Sequence, residues 1–242
     1  MPEPLPLRLL TALAADGAAP RLTWYGPDGE RTELSGRVLA NWVTKAANLL
    51  LEEGDAGPGT RVLVDLPVHW RALVWALGSW TAGAEVVLAE DRRADDDAQV
   101  VVTSRPERAG ADVDLVLAVA LPALAMRWDG PDLPAGVVDA AAELMTYGDQ
   151  LGFAPPPADA DVALDGDPPV LHGELGQWSA GAAGQVGAAE GARVLLRPGT
   201  LRELLSRAVG LWQAGGSVVL LGPDVPEAQV EQVAQVERAD VR

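Results

Sequence analysis

Few side chains in this sequence are equipped for chemistry. The 242-residue chain holds no cysteine, two histidines and, among 18 basic residues, one lysine, Lys45. Without cysteine, disulfides, thiolate metal sites and thiol nucleophiles are excluded together. The histidines, His69 and His172, form no His-x-x-x-His pair, so zinc binding would need carboxylates from elsewhere. His69 follows Leu66-Pro67-Val68 at the end of a β-rich run, where open α/β sheets bind ligands. A lone histidine there more often simply starts the next helix. Serine chemistry lacks its frame: no Gly-x-Ser-x-Gly occurs, and Ser79, Ser179, Ser206 and Ser217 fall in expected helices or beside strands. Gly78 to Gly83 has the end spacing of a phosphate loop. Ala84-Glu85 stand where that loop needs a lysine and a hydroxyl, so the stretch reads as a helix C-terminus. No Gly-x-Gly-x-x-Gly follows a strand. Arg197 with Thr200 is the remaining anion-binding pair near a strand end. The acidic runs Asp95 to Asp97 and Asp159 to Asp167 miss calcium-loop spacing and read as solvated surface.

These residues need a scaffold, and the composition allows one. With 48% hydrophobic residues the chain folds, and its net charge of −17 disfavours nucleic acid and anionic membrane surfaces as partners. The most apolar stretch, Val113 to Met126, is interrupted by Asp114 and Pro122 and is too short for a membrane span. Met1-Pro2-Glu3-Pro4 has no export signature, so a cytoplasmic address is expected.

Leu5 to Ala15 reads as an amphipathic helix. Arg21 to Tyr25 and Glu30 to Leu34, joined by Gly26-Pro27-Asp28-Gly29, read as a β-hairpin. Ser35 caps a helix to about Glu53, with Val38, Leu39, Trp42, Ala46, Leu49 and Leu50 on its apolar stripe. Strand Arg61 to Leu66, helix Trp70 to Ala82 and strand Glu85 to Ala89 make a βαβ unit, followed by short strands Gln99 to Thr103 and Leu115 to Ala120. Trp70 and Trp75 are candidates to line a cleft. Val137 to Tyr147 reads as a short helix, and Pro155 to Pro169 as an exposed linker.

Sliding the chain along itself aligns Gly59–Leu88 with Gly191–Leu220 at a constant offset of 132, with 13 identities in 30 positions. Gly78, Trp80, Ala82 and Gly83 meet Gly210, Trp212, Ala214 and Gly215. Upstream, Trp42 with Ala46-Ala47 echoes Trp178 with Ala182-Ala183. The expected architecture is α/β, with two repeated helix–strand–helix–strand halves and mainly parallel sheets. The expected divisions are residues 1–126 with the hairpin, a connector over 127–169 and a second half over 170–242.

Several of these stretches resemble the adenylate-forming superfamily, the AMP-binding acyl-CoA synthetases and their relatives. The matching pieces are Leu22-Thr23-Trp24-Tyr25, Arg31-Thr32-Glu33-Leu34, Ala46 to Leu50, Gly57-Pro58-Gly59-Thr60-Arg61-Val62 and Leu73 to Val87. Val170-Leu171-His172-Gly173-Glu174-Leu175 resembles the stretch after that family's phosphate loop, and Gly191 to Leu195 with Ala214 to Leu220 its second half-sheet. Within the superfamily the chain is similar to a set of short bacterial proteins of about its own length. The resemblance implies the family's N-terminal-domain architecture, and enzymes that activate a carboxylic acid with ATP through an acyl-adenylate.

The parts that would carry that reaction do not match. Where the Ser/Thr/Gly-rich loop and its lysine are expected, the chain reads Asp161 to Pro169, with three aspartates and no Ser, Thr or Lys. Aspartates repel a triphosphate. Arg242 is reached before the family's adenine and magnesium motifs and its small C-terminal domain, and Lys45 lies outside any family motif. The expectation is a truncated, non-catalytic ligand-binding or interaction module with no cofactor or metal. Its partner would be an acyl-type small molecule or a full-length synthetase relative, with oligomerisation open. The alternatives are a residual acyl- or nucleotide-binding enzyme, with His69, His172, Arg197 and Thr200 as candidate binding residues, or a subunit completed by another chain.

Overall fold

Alternation along the strands sets the layers of this molecule. In the first βαβ unit Val62 and Val64 face one core while Leu63 faces another, the period-two pattern of a strand covered on both sides. The computed structural model describes residues 3–15, 17–91, 97–110, 113–123 and 125–241. Asp95 and Asp96 of the first acidic run lie outside the described residues.

The chain begins with α1 (Leu5–Ala15), the hairpin β1 (Pro20–Tyr25) and β2 (Arg31–Ser35), and α2 (Gly36–Glu53). The Ser35 hydroxyl accepts the Val38 N–H at 3.3 Å and caps α2 as expected. Next come β3 (Arg61–Asp65), α3 (Trp70–Thr81), β4 (Glu85–Leu88), β5 (Val100–Thr103), β6 (Leu115–Ala118), β7 (Val137–Asp139) and α4 (Ala140–Leu144). The remainder is β8 (Val162–Leu164), β9 (Val170–Leu171), α5 (Leu175–Gln185), β10 (Arg193–Leu196), α6 (Leu201–Gln213), β11 (Ser217–Leu221), α7 (Val230–Glu237) and β12 (Asp240–Val241).

Two sheets result. One has the order β12-β10-β11-β1-β2, the other β7-β6-β5-β3-β4-β8-β9. All pairings are parallel except β1–β2 and β8–β9. The inner faces of both sheets and the apolar stripes of α1, α2, α3, α5 and α6 share one continuous core. The outer face of the five-stranded sheet packs on α7 through Leu195, Val219, Val230 and Val233. The segments aligned at offset 132 are β3–α3–β4 in one sheet and β10–α6–β11 in the other.

The structure corrects three local readings. Val137-Val138 are not helical; these β-branched residues extend along β6, and the helix starts only after Asp139, whose carboxylate caps it by accepting the Ala141 and Ala142 N–H groups. Within the expected linker, Val162–Leu164 forms β8 beside β4, because Ala163 and Leu164 are fully buried and the Trp80 indole donates to the Ala163 carbonyl at 2.6 Å. The expected hairpin forms and joins β11, a pairing on which the sequence reading was silent, and β9 joins β8 in the other sheet. The seven-stranded sheet thus takes strands from before residue 126, from 127–169 and from after 169, and the five-stranded sheet takes strands from the first and last of these stretches. In α2, Val38 is 42% exposed, and Val43 and Ala47 help fill the buried stripe. Among the described residues no helix is long and apolar enough to cross a membrane.

Candidate functional site

Parallel strands deliver their following loops to one edge, and here the carboxyl ends of both sheets meet. Residues just after β1, β3, β6 and β11 enclose a cleft of about 330 Å³, walled by Trp24, Pro67, Val68, His69, Leu121, Pro122 and Pro223. Pro27 and Glu30 from the hairpin turn complete one side, and Gly222 and Asp224 another. The walls are mainly apolar, with only a few polar groups, as in small-molecule sites generally.

His69 is set by its backbone position. It is the N-cap of α3, and its Nδ1 accepts the Arg71 N–H at 3.1 Å. The ring is 4% exposed and meets Trp24 edge-on at 4.4 Å between centroids. Burial, and then the charge of Arg71, lower its pKa to about 3. A neutral ring with Nδ1 accepting carries its proton on Nε2. Trp24 is held by Glu30, whose Oε2 accepts the indole N–H at 2.8 Å while Oε1 accepts the Ala123 N–H at 2.6 Å. Gly26 makes this possible: a Cβ there would lie 2.3 Å from Glu30 Oε2.

Behind the wall sits Arg71, only 3% exposed. Its guanidinium lies over Trp70 at 4.6 Å and Trp42 at 5.3 Å and donates to the Pro122 carbonyl at 3.1 Å. Burial lowers its pKa to about 10, with Glu30 and Asp129 pulling the other way.

A second, more open cleft of about 550 Å³ adjoins the first and includes Arg197, Pro198, Gly199, Leu201, Glu90 and Glu227. Its anion-binding groups are already engaged. Arg197 pairs with Glu227 and donates to the Val225 carbonyl at 3.0 Å. Thr200 caps α6 by accepting the Glu203 N–H at 3.1 Å. The Leu201 and Arg202 N–H groups, where α6 would offer its positive end to a phosphate, both donate to the Glu90 carboxylate at 2.9 Å.

Of the candidates from sequence, the structure therefore places His69 and Arg197 at clefts and gives Thr200 to a helix cap. His172 lines neither cleft. It is buried at the end of β9, neither ring nitrogen makes a hydrogen bond of normal geometry, and burial lowers its pKa against the opposing pull of Asp161. Trp70 and Trp75 are each 1% exposed and belong to the core rather than a cleft wall. The serines serve the backbone: Ser79, Ser179 and Ser206 donate to the carbonyls of Trp75, Leu175 and Glu203. Trp24, Glu30 and Asp224 were missed. The usable signal for Trp24 is its place near the carboxyl end of a strand, the edge at which α/β sheets bind ligands.

No family model matches the chain. It is 37% identical over 146 residues to the "TIGR03089 family protein" of Mycobacterium tuberculosis, a match covering 57% of this chain and 58% of that one. Among solved structures it is similar to the Brucella canis acyl-CoA synthetase, with a TM-score of 0.76 and 17% identity over 99% of this chain. It is likewise similar to the N-terminal domain of FACL13 from Mycobacterium tuberculosis, with a TM-score of 0.68 and 16% identity over 98% of this chain. The fold is that of an adenylate-forming N-terminal domain. The chain spans 47% of the Brucella synthetase and 61% of the FACL13 chain.

In this adenylate-forming fold the stretch Asp161 to Pro169 runs through β8 into the turn towards β9. Asp165 is fixed there by Arg61 at 3.0 Å, and its carbonyl accepts from Arg202. Lys45 lies on α2, bonded to the Tyr147 carbonyl and paired with Asp149 at 3.1 Å. Among the described residues no cluster of three or more histidines and carboxylates is placed to hold a metal ion.

Proposed function

We propose that this chain is a non-catalytic ligand-binding module on the adenylate-forming fold, taking an acyl-type small molecule into the apolar cleft beside Trp24 and His69. The observation that carries this reading is the fate of the phosphate-binding stretch. Asp161 to Pro169 supplies β8 and a turn held by the Asp165–Arg61 pair, and it contains no lysine or hydroxyl residue. Adenylate formation needs cations and backbone donors around the departing pyrophosphate. The N–H groups at the start of α6 are occupied by Glu90, Arg197 is paired with Glu227, and the single lysine is paired elsewhere.

The apolar cleft has no such encumbrance. Its proline and aromatic walls fit a short acyl or aryl body, and its position at the strand carboxyl ends is where α/β sheets hold ligands. The test is ATP-dependent pyrophosphate exchange by the purified chain with a panel of carboxylic acids. No exchange above background is expected; exchange with any acid overturns the non-catalytic reading.

A further inference from the structure

The polar groups of the cleft restrict what an apolar ligand can carry. Nδ1 of His69 is used by the Arg71 N–H, and among the described residues Nε2 has no hydrogen-bond partner. Little of His69 is exposed, yet it forms part of the cleft wall. Nε2 is not among the solvent-inaccessible unpaired atoms, so it is an unengaged N–H donor that solvent or a ligand carbonyl on the cleft side can reach. The other charged groups on the wall, Glu30 and Asp224, are both acidic. The nearest cation, Arg71, lies behind the wall, stacked on Trp70 and Trp42 and bonded to the Pro122 carbonyl. A ligand carboxylate would therefore enter a low-dielectric space facing two carboxylates with no cation at the wall.

We propose that His69 Nε2–H is the recognition point of the cleft and that its ligand is a neutral carbonyl compound on a flat apolar body, an amide or ester rather than a free acid. This rests on the cleft being a binding site, as argued above. It narrows the acyl-type ligand to the uncharged form, with the ligand carbonyl accepting from Nε2 and its body lying among Trp24, Pro67, Pro122 and Pro223.

The test uses the whole chain labelled with 15N-histidine, in which His69→Asn assigns the two histidines. Asparagine keeps a side-chain acceptor for the α3 cap, and its amide NH2 ends one bond short of the Nε2 position, so the donor at that place is lost. Phenylacetamide, phenylacetate and toluene are the probes. The expected result is a proton on His69 Nε2, a shift of that resonance with phenylacetamide, and phenylacetate binding at least about tenfold more weakly. In His69→Asn, phenylacetamide should lose roughly tenfold in affinity while toluene is unchanged. A proton on Nδ1, or phenylacetate binding as tightly as phenylacetamide, overturns the proposal. Toluene binding with no gain for phenylacetamide overturns it while leaving the cleft reading standing. If no probe perturbs His69, the cleft reading fails and takes the proposal with it.

Discussion

At the scale of single residues, the cleft depends on one carboxylate doing two jobs. Glu30 accepts from Trp24 Nε1 and from the Ala123 N–H, linking the hairpin turn to the loop after β6. Glu30→Ala leaves both donors without their acceptor and should destabilise by about 1–3 kcal/mol, read by denaturant unfolding. Gly26→Ala pushes a methyl into the same carboxylate and should mimic the effect. Acid should also destabilise the chain. His69 binds its proton near 6.5 when unfolded but only near about 3 when folded. Burial pushes Glu237 up, but the bonds from Arg31, Tyr25 and Arg193 outweigh it and bring its pKa from 4.5 to about 2. In both cases the unfolded chain binds the proton more readily, so stability falls as pH drops from 6.5 towards 3, and from 4.5 towards 2. The His69 contribution has a slope of at most about 1.4 kcal/mol per pH unit. Urea midpoints measured from pH 7 to pH 4 should decline, and the decline above pH 5 should be shallower in His69→Asn, with buried His172 supplying the remainder; a midpoint that rises on acidification contradicts this.

At the scale of elements, the aligned glycines Gly78 and Gly210 sit where helices cross. Gly78 of α3 faces Ala46 and Ala47 of α2, with Ala46 Cβ 3.0 Å from the place a methyl would take. Gly210 of α6 faces α5, where the Ser179 carbonyl oxygen would lie at 2.1 Å and Ala183 Cβ at 2.9 Å. A side-chain methyl can yield more readily than a helix backbone. Gly210→Ala should therefore cost more than Gly78→Ala, the former near the top of the overpacking range of about 1–3 kcal/mol. Thermal midpoints of the two variants compare them directly. The helices that carry these glycines, and the strands beside them, were legible in the sequence from apolar periodicity. The close helix approach at Gly78 and Gly210 was not, since both glycines read there as part of a helix C-terminus. Two further features were not legible. Which sheet β1 joins is a long-range pairing, Leu22 with Val218, that no local pattern encodes. The strand β8 was hidden among aspartates and prolines, because only three residues, Val162 to Leu164, carry its apolar signal. The cleft was half legible: its position after β3 pointed to His69, while its other wall depended on the unseen β1–β11 pairing that brings Trp24 and Pro223 to the same edge.

For the whole molecule, the helices between the sheets contribute to one core, so the two halves should not unfold separately. Chemical denaturation followed by tryptophan fluorescence and by circular dichroism should give coincident transitions; two resolved transitions would argue for independent halves. The net charge of −17 adds self-repulsion, so moderate salt should raise the midpoint. The proposed function assigns ligand binding to the apolar cleft and a structural role to Asp161–Pro169 and the start of α6. Calorimetric titration of the chain with ATP and magnesium tests it most directly, with phenylacetamide as the comparison ligand. The account predicts heat of binding for phenylacetamide that Trp24→Ala removes, and none for ATP up to millimolar concentration. Micromolar binding of ATP, retained in Trp24→Ala, would contradict it.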